Sequence, residues 1–172
     1  MKGLIHLYCG EGKGKTTAAM GLALRTAGAG KRVRVLQFFK DGSSSEVRAL
    51  GRFDNVDVVA HRRQFGFFWT LSDAEKEEAR VYYTGLLEEV MAESGAYDLL
   101  VLDEAMSACT NRVIDEGRLL ALLADKPEEL EVVLTGRDPS QTMIDRADYV
   151  TEMKKIKHPF DRGVPARRGV EF

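Results

Sequence analysis

Apolar and polar positions along the chain fall into short blocks whose period switches between two and about 3.6. Residues 4–8, 33–38, 56–60, 97–104, 130–135 and 148–153 are runs rich in Leu, Val, Ile and aromatic side chains, and they read as strands. Between them lie helical patterns. Residues 17–28 carry Ala18, Leu22 and Ala23 at helical spacing and end at Gly28 and Gly30, a helix C-terminal signal. A short helix through Val47 and Leu50 follows the polar loop 40–45. Ser72 and Glu75 form a capping-box sequence that opens a long amphipathic helix with Ala79, Tyr83, Leu86, Leu87 and Val90 on its apolar stripe, ending near Gly95. Further helices are expected over 114–124 and through Ile144 and Ala147, the latter with Asp138 as N-cap and Pro139 in its first turn. Strand and helix alternate throughout. The pattern predicts an α/β fold with a mostly parallel sheet flanked by helices on both faces. With no internal repeat, low-complexity segment or linker, residues 1–172 are expected to form one domain, with a loop-like tail from about residue 154.

Composition narrows the picture by exclusion. In 172 residues, 44% hydrophobic and 30% charged content with a formal net charge of −2 describe an ordinary globular chain. The basic residues are scattered apart from Lys31-Arg32, Arg62-Arg63 and the stretch 154–157, which argues against a nucleic-acid-coating surface. No apolar stretch approaches the roughly 20 residues that span a bilayer, so no membrane partner is expected. The first strand begins almost at once and no signal-peptide pattern precedes it, and cytoplasmic residence is the expectation. The two cysteines, Cys9 and Cys109, are too few for a disulfide framework and read as small buried apolar side chains.

The chemistry is concentrated in Tyr8-Cys9-Gly10-Glu11-Gly12-Lys13-Gly14-Lys15-Thr16-Thr17, a glycine-rich turn between the first strand and the first helix. Three glycines permit positive φ and let a phosphate approach the backbone, whose N–H groups point inward as an anion nest. The following helix adds its unpaired first-turn donors and the positive end of its dipole. Lys15 supplies a mobile cation, and the Thr16 hydroxyl suits Mg²⁺. The motif G-x-x-x-x-G-K-[ST] is matched except that its first glycine falls on Cys9 and Gly10 stands next to it, a shortened variant of the loop. A P-loop NTPase-like (RecA-like) sheet follows from this. Asp103 and Glu104 end the strand 97–104 at the sheet edge where ligands bind in open α/β folds, so either acid suits the Mg²⁺ (or Mn²⁺) of a bound nucleotide. Arg25, farther along the first helix, reads equally as a solvated charge or a nucleotide contact. Phe65, Phe67, Phe68 and Trp69 crowd around Gly66 without either periodicity, and they read as a satellite core or as a flat surface for a planar ligand.

Taken together, these residues resemble the P-loop-type ATP:cob(I)alamin (corrinoid) adenosyltransferases. Gly10 to Thr17 is similar to the family's G-N-G-K-G-K-T-T with Glu11 in place of asparagine, and Gly66-Phe67-Phe68-Trp69 is similar to its G-F-T-W segment. Val101-Leu102-Asp103-Glu104, Leu134-Thr135-Gly136-Arg137, Ala147-Asp148 and the stretch from Lys157 through His158, Pro159, Phe160, Asp161, Arg162 and Gly163 to Val164 follow in the family's order. The resemblance implies that cobalt(I) of a corrinoid attacks the ribose 5′ carbon of ATP and that tripolyphosphate leaves. It implies ATP binding by Gly10, Glu11, Gly12, Lys13, Gly14, Lys15, Thr16, Thr17, Arg25 and Arg137, metal binding by Thr16, Asp103 and Glu104, and corrinoid binding by Phe67, Phe68, Trp69, His158 and Phe160. Lys15, Phe67 and Trp69 would carry catalysis, the two aromatics by excluding the axial ligand of cobalt. A reduced flavoprotein electron donor and a homodimer are also implied. The family's N-terminal arm has only Met1, Lys2 and Gly3 as its counterpart, Met106-Ser107 replaces a more polar pair, and Arg167-Arg168 departs from the usual ending. The alternatives are a general P-loop ATPase or kinase and a non-catalytic, ATP-dependent corrinoid-binding protein.

Overall fold

In the computed structural model, residues 2–40, 44–63, 65–66 and 68–171 are described, together with every side chain among them except that of Trp69. Six strands form one sheet: β1 (Ile5–Cys9), β2 (Val33–Gln37), β3 (Val56–Val58), β4 (Leu99–Asp103), β5 (Glu131–Thr135) and β6 (Tyr149–Glu152). Their spatial order is β3-β2-β4-β5-β1-β6, and every neighbouring pair is parallel. All six carboxyl ends therefore share one edge. The helices are α1 (Lys15–Gly28), α2 (Ser45–Leu50), α3 (Asp73–Ala92), α4 (Ala105–Thr110), α5 (Glu116–Ala124) and α6 (Gln141–Arg146).

The period of two decides which helix covers which face. Leu100 and Leu102 of β4 belong to a core with Ala79, Tyr83 and Leu87 of α3 and with Leu119 and Leu123 of α5. Leu99 and Val101 of the same strand belong to a second core with Ala19, Met20 and Ala23 of α1 and with Val47 and Leu50 of α2. Successive side chains point to opposite faces, so the sheet has an apolar layer on each side. β4 is buried at all five positions because it is covered from both sides, whereas β6 is exposed at all four and lies at the edge.

The expected elements form with small shifts of boundary. The capping box is present: Ser72 Oγ accepts from the Glu75 N–H at 3.3 Å, and Glu75 Oε2 accepts from the Ser72 N–H at 2.8 Å. Two differences have physical causes. Asp138 does not cap α6, because it is held at φ +47°; Ser140 caps it instead, its Oγ accepting from Met143 N–H at 3.1 Å, with Pro139 before the cap. The short α4 is absent from the sequence pattern because its six residues give no full amphipathic period, and Ala105, Met106 and Ala108 are all buried. Residues 41–43 of the polar loop and Phe67 lie outside the described residues. Among the described residues no helix is long and apolar enough to cross a membrane.

Candidate active site

The phosphate loop joins the carboxyl end of β1 to α1, which begins at Lys15 immediately after Gly14 at φ +118°. Gly10 is likewise left-handed at φ +97°. The glycines answer to the protein's own backbone as well as to any phosphate. A Cβ on Gly12 would lie 2.5 Å from Met153 O, and one on Gly10 would lie 2.8 Å from the same oxygen. The chain leaving β6 braces the loop directly, with Gly12 N–H donating to Met153 O at 2.6 Å and Met153 N–H donating to Cys9 O at 2.8 Å.

Lys15 is buried, and its Nζ donates to Gly10 O at 2.6 Å and to Gly12 O at 3.0 Å. Burial, and then the nearby Arg137 guanidinium, hold its pKa below the usual lysine value against the opposing pull of Glu104 and Glu11. Lys13 is exposed on the outside of the turn, and Thr17 faces outward from the first turn of α1. Arg137, just past β5, donates to Glu11 Oε2 at 2.7 Å, an exposed bridge across the mouth of the loop.

Asp103 is 0% exposed at this edge. Its Oδ1 accepts from the Thr16 hydroxyl at 2.8 Å and the Thr135 hydroxyl at 2.7 Å. Its Oδ2 accepts from Gln37 Nε2 and Lys40 Nζ, each at 2.9 Å. Burial pushes this carboxyl up, but the Lys40 ammonium and the Thr135 and Thr16 hydroxyls outweigh it and hold the pKa below the usual carboxylate range. Glu104 is aimed elsewhere. It sits at φ +63°, its N–H donates to Thr135 Oγ1 at 2.9 Å, and its carboxylate accepts from Ser107 Oγ at 2.5 Å. A cavity of about 470 Å³ opens beside Thr16, Thr17 and Lys40 and continues along Met20, Leu24 and Phe53.

Residues 1–172 match the family described as ATP:corrinoid adenosyltransferase BtuR/CobO/CobP. A corrinoid adenosyltransferase of Pseudomonas aeruginosa is 34% identical, over 99% of this chain and 84% of the relative. One from a Sinorhizobium species is 35% identical over 99% and 81%, and the corrinoid adenosyltransferase CobA of Salmonella typhimurium is 32% identical over 99% and 86%. The chain belongs to the ATP:corrinoid adenosyltransferase family. It is accordingly a transferase enzyme, and ATP and a corrinoid are the substrate pair the family implies.

The adenosyltransferase fold brings Gly10, Glu11, Gly12, Gly14, Lys15, Thr16, Asp103 and Arg137 to one sheet edge, where Lys15 bonds Gly10 and Gly12, Thr16 bonds Asp103, and Arg137 bonds Glu11. It does not bring Arg25 there. That residue lies on the last turn of α1, ten residues and about 15 Å of helix beyond Lys15, where its charge acts on the Tyr8 phenol. Phe68 and Phe65 are half-buried and pack against the larger core, with the Phe65 ring 5.6 Å from Tyr82 and 5.8 Å from Tyr83. Trp69 lies in a 3-10 turn, Phe68–Thr70. His158 caps the turn Pro159–Arg162, its Nδ1 accepting from Phe160 N–H at 3.2 Å, and Phe160 is 75% exposed. Cys9 is buried and Cys109 half-buried, and burial, followed by Glu116 and Asp115, pushes the Cys109 thiol up to about 12.

Sequence reasoning missed Gln37, Lys40 and Thr135 as partners of Asp103, and Met153 as the brace. A signal for the first three was present. Each stands at or just beyond the carboxyl end of a parallel strand, the edge at which such sheets bind ligands.

Proposed function

We propose that the protein transfers the adenosyl group of ATP to the cobalt of a corrinoid in the +1 state, with tripolyphosphate as the leaving group. The observation that carries this mechanism is the state of the carboxylates beside the phosphate loop. Asp103 has both oxygens taken by four donors, and Glu104 is bonded to Ser107. Neither is set up as a general base, as attack by an unactivated hydroxyl or water would require. A cobalt(I) nucleophile brings its own electron pair. It forms the bond to the ribose 5′ carbon, the C–O bond breaks, its electrons leave on tripolyphosphate, and cobalt passes formally from +1 to +3. What the protein supplies is alignment and charge. Lys15 and the loop N–H groups would hold the triphosphate, with the exposed Lys13 adding positive charge nearby and Glu11 and Arg137 at the mouth of the loop.

The donor set fits a magnesium ion. The Thr16 hydroxyl and the Asp103 carboxylate are hard oxygen groups in contact at the start of α1, the arrangement that one or two protein oxygens plus phosphate provide for Mg²⁺. Thr16 and Asp103 would hold it, with Glu104 turned away, and when bound it would offset charge developing on the leaving group. On the family resemblance, Phe67, Phe68 and Trp69 meet the corrin with His158 and Phe160, Arg25 contacts nucleotide, and a reduced flavoprotein supplies the electron. The same reading takes residues 1–172 as one cytoplasmic domain with a tail from about 154 and assembles it as a homodimer.

Incubation with Mg-ATP and chemically reduced cob(I)alamin tests this. The light-sensitive adenosylated spectrum should appear with one equivalent of tripolyphosphate, and Lys15→Ala should slow it on the order of a hundredfold by removing a charge-assisted phosphate contact. ADP and phosphate released without corrinoid would support a general ATPase or kinase. Binding of both substrates without a new cobalt–carbon bond would support a carrier.

A further inference from the structure

Asp103 is held by four donors, and they are not equivalent. Gln37 is in register with Asp103 across the β2–β4 pair, Thr135 ends β5, and Thr16 sits in the first turn of α1. Those three are fixed by the sheet and its first helix. Lys40 is different: it lies beyond β2 on an irregular segment, its side chain is 32% exposed, and it forms part of the wall of the cavity beside Thr16 and Thr17.

The backbone nevertheless aims this lysine. Phe39, just before it, is held at φ +61°, a conformation that costs energy for an aromatic residue. The kink is braced on both sides. Phe38 is fully buried, and the Phe39 ring packs 5.7 Å from Tyr83, whose phenol is bonded to the Phe39 backbone. Strain maintained in this way turns the chain so that the ammonium reaches Asp103 Oδ2 at 2.9 Å.

We propose that Lys40 is a tethered counter-ion for the metal half-site: its ammonium balances Asp103 in the metal-free protein and is displaced when a divalent cation binds Thr16 and Asp103. This rests on the metal reading given above. A carboxylate at 0% exposure needs a compensating cation, and among the described residues Lys40 is the cation bonded to it. A divalent ion on the same carboxylate would stand within a few ångströms of the ammonium, and like charges at that distance in a buried site repel strongly. The two are therefore alternatives. Once released, the ammonium remains in the cavity wall beside Thr16 and Thr17, where a triphosphate offers it new acceptors. Metal alone must compete with Lys40; metal with triphosphate does not, so the two should bind with positive coupling.

Mn²⁺ titration followed by electron paramagnetic resonance, on the full chain without nucleotide, tests this in the wild type and three variants. Lys40→Met should bind Mn²⁺ on the order of tenfold or more tightly, since loss of the competing charge favours the metal. Lys40→Arg should stay near wild type, and Asp103→Asn should lose binding. If Asp103→Asn loses Mn²⁺ while Lys40→Met binds no better than wild type, the counter-ion role is wrong and the metal reading stands. If Asp103→Asn binds Mn²⁺ as wild type does, both fall. A measurement on the wild type covers the case in which Lys40→Met does not fold. Acetylation of Lys40 by acetic anhydride, read by mass spectrometry, should accelerate when Mg²⁺ is added, and an unchanged rate overturns the proposal.

Discussion

At the scale of single residues, Asp103 shows how one buried charge organises its surroundings. Its four donors come from β2, the segment after β2, α1 and β5, so one carboxylate ties together elements distant in sequence. Removing it leaves Lys40 and three polar donors without their shared acceptor, a change more costly than losing a surface pair. Because its folded pKa is depressed, its contribution to stability is fully present above the unfolded carboxyl value near 4 and is lost as pH falls through the lower folded value. Urea unfolding from pH 7 to pH 3 should therefore show a wild-type advantage over Asp103→Asn at neutral pH that narrows below about pH 4. A constant difference across that range would mean that the carboxylate is not held in its charged form by these partners.

At the scale of elements, the long helix α3 is specified twice. Its stripe of Ala79, Tyr83, Leu87 and Val90 buries against the sheet, and its first turn is closed by the reciprocal Ser72–Glu75 pair. Packing decides where the helix lies and the cap decides where it starts. Ser72→Ala should cost about 1 kcal/mol, and for a chain of this size the melting temperature should fall by roughly 2–4 °C. Calorimetry checks the value, and an unchanged melting temperature would mean that packing alone fixes the start of α3. α4 behaves differently: nothing in its six residues marks a helix, and it forms because the chain leaving Asp103 must bury Ala105, Met106 and Ala108 beneath the sheet edge.

At the scale of the whole molecule, the last strand completes the site that the first strand begins. β6 is paired to β1, and the residue following it, Met153, closes a pair of backbone hydrogen bonds on Cys9 and Gly12. Gly12→Ala should therefore act through the end of the sheet. Its Cβ would fall 2.5 Å from Met153 O, backbone against backbone, which cannot yield without shifting β6 or the loop. Such overpacking should cost about 1–3 kcal/mol, and the stabilisation of the protein by Mg-ATP in a thermal melt should shrink at the same time. A variant with lowered melting temperature but an undiminished Mg-ATP shift would mean that the brace serves the fold and not the nucleotide.

Much of this was legible in the chain itself, for a definable reason. The continuous apolar run of β4, the helical stripe of α3, the Ser72–Glu75 pair and the loop from Gly10 to Thr17 are local patterns, whose length and spacing reflect the geometry of one strand, one helix or one turn. Asp103 could be placed at the ligand edge because parallel connections put every strand's carboxyl end on the same side. What surrounds Asp103 could not be read in that way. Gln37, Lys40 and Thr135 are ordinary residues in their own segments, and only the strand order β2-β4-β5 makes them neighbours. The same holds for Met153 against Gly12 and for Ser140 displacing Asp138 as a cap. Local periodicity determines elements and the turn chemistry between them. Contacts between segments far apart in the chain depend on sheet order, register and backbone strain, which the tertiary structure alone decided.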